Sequence, residues 1–497
     1  MKSLKPVGWT AVAAACLVAM PCGIRAQAAD QISQLKRQLE QMQANFDRVV
    51  REQRQQIEAL QKQVDKLEAQ QRVTRPTETV AASPAPTTAP RTAETVASPA
   101  PAPSKLWSPT EPIRVGGGKG YMDIGLVGTF AVGGSTASDI EGGTQLGGHD
   151  PNQRGFTVQG VEANFQGAVD PYFRGNANIA LLLDSGGETQ IELEEGWLET
   201  MSLPWNLQVR AGQILTDFGR LNTQHPHAWA FVDTPLVNGR FLGADGLRNP
   251  GARVSWLVPT PFYSELFLAV QNSQGGTAHS FRDDNGGTPL MGRPLTQGEV
   301  KSFGDMLFTP RYALSFDLTD TQTLLAGISG AFGPNGSGTD TDTQIYGVDL
   351  YWKWKSAHAH AGFPFVSLQT EAMLRRYVAG AFTGDVGDFT DVSLPRETLT
   401  DWGLYSQLLW GFRKGWVAGL RGDYVARSEQ AAYEQLLGND PQRLPRWRIS
   451  PNLTWYPSEF SKIRLQYNYD DREDIGVDHS VWLQFEFLLG AHAAHKF

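Results

Sequence analysis

Residues 462–470, Lys-Ile-Arg-Leu-Gln-Tyr-Asn-Tyr-Asp, alternate polar and apolar side chains without a break. Successive side chains of a strand point to opposite faces, so Ile463, Leu465, Tyr467 and Tyr469 share one face and Lys462, Arg464, Gln466 and Asn468 the other. The pattern returns at Trp447, Ile449, Leu453 and Trp455 against Arg448, Ser450, Asn452 and Thr454, and again at 348–354 and 481–487. A half-buried soluble strand reads this way, and so does the wall of a barrel with lipid outside and water within. From Tyr121 onward about sixteen such segments follow one another, in the even-numbered range of membrane barrels. Turning Lys462 or Arg464 toward lipid near the midplane would cost about 2–4 kcal/mol each, so they must face the lumen.

The connections divide in the same sense. Short turns are expected at Asp170-Pro171-Tyr172, Pro204-Trp205, Pro259-Thr260-Pro261, Thr319-Asp320-Thr321, Arg413-Lys414-Gly415 and 457–461; long polar loops at 218–250, 272–309 and 380–400. Short turns on one rim and long loops on the other are the barrel arrangement, with the short ones periplasmic. Pro451 removes a ladder donor and predicts a local bulge. The fold expected is all-β, a transmembrane antiparallel β-barrel of about sixteen strands. A mean hydropathy of -0.32 does not oppose it, because only alternate wall residues need be apolar. The 14 Trp, 13 Tyr, 24 Phe and 52 Gly suit interfacial rings and tight turns. With 43 Lys and Arg against 52 Asp and Glu, the balance argues against a nucleic-acid partner.

Ahead of the barrel stand three further segments. Lys2 and Lys5, an apolar run and Ala26-Gln27-Ala28 read as a signal peptide over 1–28. Cys16 and Cys22 precede that cut, which leaves the mature chain without disulfides or thiolate metal sites. Over 29–73 the seam Ile32, Leu35, Leu39, Met42, Phe46, Val50, Gln53, Ile57, Leu60, Val64 and Leu67 predicts a periplasmic α-helical coiled coil. A Pro/Ala/Thr-rich linker over 74–112 repeats itself, Thr77–Pro86 being echoed at 93–101, and the barrel occupies 113–497.

Within the barrel, "VRAGQILTDFGRLN" at 209–222, a strand and then Phe-Gly at the head of a long loop, resembles the phosphate-selective porin O and P family. The resemblance covers the barrel, and relatives also carry an N-terminal coiled coil. It implies a homotrimeric, sixteen-stranded outer-membrane channel whose third outer loop, here 218–250, folds inward to narrow the pore. The constriction would then be lined by Arg220, Arg240, Arg248 and Arg253. Strand parity places Arg210, Lys353, Arg375, Arg421, Arg448, Lys462 and Arg464 along the lumen, and also turns Glu192, Glu194, Asp349, Glu371, Asp423 and Glu486 inward. That wall is mixed in sign, unlike a dense cationic ladder for a multivalent anion. Phe497, with Leu483, Phe485, Phe487 and Leu489 on its parity, resembles the C-terminal signature read by the barrel assembly machinery.

Other chemistry is sparse. The motifs G-x-S-x-G, H-E-x-x-H and G-x-x-x-x-G-K-[ST] do not occur. Glu194 and Glu195 are neighbours and so should lie on opposite faces, which opposes an acid/base pair. Gly116–Gly120 reads as a flexible lead into the first strand. Histidine pairs stand at His225/His227, His358/His360 and His492/His495; imidazoles two apart can converge on zinc, which makes His225 and His227 the metal candidates, but rim polarity accounts for the pairs and no metal or cofactor is assigned. The function expected is a non-enzymatic porin in the outer membrane of a Gram-negative bacterium, a water-filled channel for passive diffusion of small hydrophilic, anionic, phosphate-like solutes. An outer-membrane lipase is the enzyme alternative, and an envelope tether gripping peptidoglycan through the coiled coil is the structural one.

Overall fold

The computed structural model describes residues 113–490 apart from 118–119, 169, 185, 284–288, 297 and 387–388. The expected signal peptide, coiled coil and linker, His492, His495 and Phe497 lie outside the described residues. A short arm, β1 (Ile113–Gly117), is followed by β2 (Gly120–Ser135), β3 (Gly155–Ala168), β4 (Phe173–Leu183), β5 (Thr189–Thr200), β6 (Leu207–Leu215), β7 (Arg248–Leu257), β8 (Tyr263–Asn272), β9 (Met306–Thr319), β10 (Gln322–Pro334), β11 (Asp342–His360) and β12 (Phe363–Ala379). A separate hairpin, β13 (Phe382–Val386) and β14 (Phe389–Leu394), precedes β15 (Glu397–Arg413), β16 (Trp416–Arg427), β17 (Arg446–Ser458), β18 (Ser461–Arg472) and β19 (Gly476–Gly490). Each strand from β2 to β12 and from β15 to β19 pairs antiparallel with its neighbours, and β19 returns to β2 with Phe485 opposite Phe130. The result is a closed sixteen-stranded barrel, as the alternation predicts. Among the described residues no helix is long and apolar enough to cross a membrane.

Burial on this wall is inverted relative to a water-soluble sheet. Along β18, Lys462, Arg464, Gln466, Asn468 and Asp470 are buried, whereas Leu465 and Tyr467 are exposed. Ile449, Leu453, Val481, Phe485, Val348 and Leu350 are likewise exposed on neighbouring strands. A continuous apolar band of this kind far exceeds the few hundred Å² that monomers usually leave in water, so its surroundings are lipid. Rings mark both borders of the band. Near the short turns Trp410 meets Phe412 and Trp416 stacks on Trp455 at 5.9 Å; toward the long loops Trp402 packs on Tyr424 at 5.1 Å and Trp447 on Tyr469 at 5.0 Å. Trp402 to Trp410 is eight positions, a rise of roughly 19 Å on a tilted strand, close to the apolar height of a barrel.

Several expectations need correction. Pro451 makes no bulge: Ile449 pairs with Tyr469 and Asn452 with Gln466 in one unbroken register, and on the other side Pro451 pairs with Leu420. The sheet accepts the missing donor by losing ladder contacts locally. Gly116 belongs to the β1 arm, which pairs back on β2 with Arg114 bonded to Asp123 at 2.6 Å. Wall strands also resume earlier than the loop ranges suggest, so Arg248 belongs to β7 and not to the third loop, and Arg253, just beyond the expected loop, lies on the same strand. Two more long connections, at 136–154 and 428–445, escape the alternation, the second carrying a short helix at Ala432–Leu437.

The two-faced wall generates a direct expectation. Leu465→Arg, placed mid-strand on the outer face, should cost about 2–4 kcal/mol when unfolding from lipid vesicles is followed in urea. An unchanged transition midpoint would contradict a lipid-facing Leu465.

Candidate functional site

The connection between β6 and β7, residues 216–247, turns into the lumen and crosses it. β6 has only nine residues and β7 ten, against nineteen in β11, so the chain leaves the wall early. Gly219, at φ +60°, makes the first bend; a side chain there would run into the Glu371 carboxylate. Pro226 opens the turn Pro226–Ala228, and Pro235 leads into the short helix Leu236–Leu242, which Gly243 ends at φ +97°.

Two kinds of contact hold this loop. One is apolar: Phe218, Leu236, Val237, Phe241 and Leu242 pack on Ala331, Ile345, Met373, Tyr405 and Val425 of the lumen wall. Gly347 on β11 leaves the space that the Phe218 ring fills. The lumen face is therefore not uniformly wet, which alternation alone could not reveal. The other kind is polar and centres on Asp233. Its carboxylate accepts from Arg421 at 2.8 Å, Gln466 at 2.8 Å, Asn468 at 2.8 Å and Arg448 at 3.0 Å. Lys462, Arg464 and Asn452 donate to the loop carbonyls of His227, Trp229 and Ala230, while Asp423 accepts from the Leu236 N–H.

The residues that sequence reasoning placed on the lumen are all turned inward, but most of their charge is engaged. Arg210 bonds Glu199 at 2.7 Å, Arg375 bonds Asp401 at 2.8 Å, Arg421 holds Asp423 as well as Asp233, Arg448 holds Asp470, and Lys462 holds Glu486 at 2.7 Å. Arg464 bonds Gln484. Of the four arginines expected at a constriction, Arg248 pairs with Glu192 at 2.9 Å and Arg253 with Glu199 and Asp217. Arg240 donates to the carbonyls of Leu444 and Pro441. Arg220 differs, lying over the Tyr351 ring at 4.0 Å and donating to Gln369 at 3.2 Å. Lys353 faces the Phe365 ring at 5.2 Å. Among the described residues neither Arg220 nor Lys353 has a carboxylate within ion-pair distance.

On the short-turn side of the loop, a chamber of about 440 Å³ is bounded by Arg220, Lys353, Lys462, Gln369, Gln407 and Tyr351, and no Asp or Glu lines it. On the opposite side of the lumen lies an acidic and imidazole cluster. β5 bulges at Glu194, since consecutive Asn178 and Ile179 of β4 pair with Glu195 and Leu193, so Glu194 and Glu195 both point inward. This overturns the expectation that neighbours take opposite faces. His225 sits between them, 3.1 Å from each, and His227 lies 2.9 Å from Glu162. His149, from the first loop, bonds Glu194 at 3.1 Å and was not visible as a site residue in sequence. Burial disfavours the charge of both imidazoles, yet the carboxylates raise His225 well above its ordinary range and His149 to about 9.

Asp233→Asn would set an amide against four donors and leave buried arginines short of charge. The expected cost is about 3–5 kcal/mol in loop docking, read as new trypsin cleavage after Arg220 or Arg240 in the folded, detergent-purified chain. Cleavage at the wild-type rate would contradict the role of Asp233.

No protein-family model matches the chain. The solved outer-membrane channel DcaP of Acinetobacter baumannii is 12% identical, with a TM-score of 0.47 over 75% of this chain and 98% of that one. An anion-selective porin from Comamonas acidovorans is 8% identical, with a TM-score of 0.45 over 75% and 100%. At that level neither likeness bears on function, and the sixteen-stranded closure rests on the strand pairing alone. A protein of Aquifex aeolicus (strain VF5), described as an uncharacterized protein, is 32% identical over 374 residues, 71% of this chain and 73% of that protein. The chain belongs to one family with this Aquifex aeolicus protein.

Proposed function

We propose that the chain is an outer-membrane porin for small hydrophilic anions, with the solute path running past the third loop and through the chamber on its short-turn side. The observation that carries this reading is the chamber itself, bounded by Arg220, Lys353 and Lys462 and by no acid. Lys462 is balanced by Glu486, which leaves Arg220 and Lys353 as the cations available to a passing solute. A unit charge about 5 Å from an anion, at an effective dielectric constant near 20, contributes about 3 kcal/mol. Even after screening by salt this favours anions over cations severalfold. Phosphate-like solutes remain the finer part of the proposal, supported by the resemblance at 209–222. The same resemblance supports a homotrimer.

Glutamines flanking these cations suit the reading, since amides can replace part of an anion's hydration without binding it permanently. Arg248 and Arg253 are reassigned within it. Their partners Glu192, Glu199 and Asp217 make them fasteners of the wall and loop.

Replacing both Arg220 and Lys353 by glutamine should move the reversal potential in a salt gradient toward zero while the barrel still assembles. A reversal potential equal to that of the wild type would remove the proposed selectivity. The intact assembly, weighed in detergent, should contain three chains; a monomer would refute the trimer.

A further inference from the structure

The cluster at β3 to β5 reaches the chamber only through His227, and its carboxylates outnumber the cations within it. Five carboxylates, Glu162, Glu192, Glu194, Glu195 and Asp245, surround three imidazoles and Arg248. Counting Arg248 alone, neutral imidazoles leave five negative charges against one positive and protonated ones leave an excess of one, with Arg210 toward Glu195 and Lys462 toward Glu162 as more distant counter-charge. Buried carboxylates gathered this closely need counter-charge.

We propose that Glu162, Glu194 and His225, with His227 beside them, bind a divalent transition-metal cation of the zinc class. One ligand atom from each of the first three lies within 4.8 Å of the others. Glu194 Oε2 and His225 Nδ1 are 3.1 Å apart, close to the roughly 3.3 Å between ligands of a tetrahedral zinc ion. His227 Nδ1 is 2.9 Å from Glu162 Oε2, so a second imidazole stands next to the three-ligand group without being part of it. Mixed imidazole and carboxylate donors suit zinc and its neighbours better than the all-oxygen cations.

Asn178 supplies an independent observation. Its side chain is fully buried, with its Nδ2 only 2.6 Å from Glu194 Oε2, 3.1 Å from His225 Nδ1 and 3.3 Å from Glu162 Oε2. The amide nitrogen can donate to the two carboxylates, but it then lies against the His225 ring nitrogen, which is itself a donor when the ring is protonated. Its Oδ1, meanwhile, has no partner at all. Two carboxylate oxygens and a ring nitrogen converging on one point, with an orphaned carbonyl oxygen attached to that point, is the arrangement a cation would complete. Turning the amide by half a rotation would present Oδ1 as a further ligand. A cavity of about 40 Å³ beside Glu194 and His225 leaves room for a water-sized coligand.

This site is independent of the channel reading, because its test measures binding and not conductance. The full chain, purified in detergent and stripped with a chelator, is titrated with Zn²⁺ against a competing indicator. The wild type should bind one equivalent that persists when the exposed pair is removed by His358→Gln with His360→Gln. His225→Gln and Glu162→Gln should each weaken that binding by more than about tenfold, since even outer-shell changes cost that much. Heat-modifiable mobility checks that each variant is folded. Should a variant fail to fold, the wild type answers alone: Zn²⁺ should protect His225 and His227, and not His358, from acylation by diethyl pyrocarbonate. No saturable binding by the wild type, binding unchanged by His225→Gln, or protection confined to His358 and His360 would each overturn the proposal.

Discussion

The lumen depends on one buried carboxylate. Asp233 receives donors from β16, β17 and β18 at 2.8 to 3.0 Å, although its own loop begins and ends on the far wall at β6 and β7. Arg421 and Arg448, which it joins, carry further acids of their own in Asp423 and Asp470. An ion network of this depth holds because every member is hydrogen-bonded and water is excluded around it. The apolar half of the loop, Phe218 to Leu242, is seated by the same crossing, and the chamber beneath it exists only because the loop stays across the lumen.

The division of labour among charges follows from that constraint. A lumen cation either fastens the loop or meets solute, and its partner decides which. Arg448 and Arg375 face inward as a selectivity ladder would, but carboxylates and loop carbonyls occupy them. Arg220 and Lys353 face rings and amides instead, so their fields remain available in the chamber. Counting inward charges therefore overstates how many can act on a solute.

Alternation carried the barrel, its strand number and the inward direction of Arg375, Arg421, Arg448, Lys462 and Arg464, because a period of two is local and lipid enforces it along the strand. The site was less legible. One β-bulge beside Asn178 reverses the parity rule and brings Glu194 and Glu195 to the same face, and nothing in the sequence of β5 announces it. Ile345, Met373 and Tyr405 read as exceptions to a polar lumen until the loop that covers them is seen. His149 joins Glu194 from a loop that alternation passes over. Each miss is a contact between residues far apart in the chain, which periodicity cannot encode.

A loop pinned across the lumen would leave a narrow path for small anions. Recording from purified protein in a planar bilayer tests it most directly. Discrete ohmic steps, small for a sixteen-stranded barrel, with a reversal potential on the anion side are expected. An absence of steps, or large steps without ion preference, would contradict it.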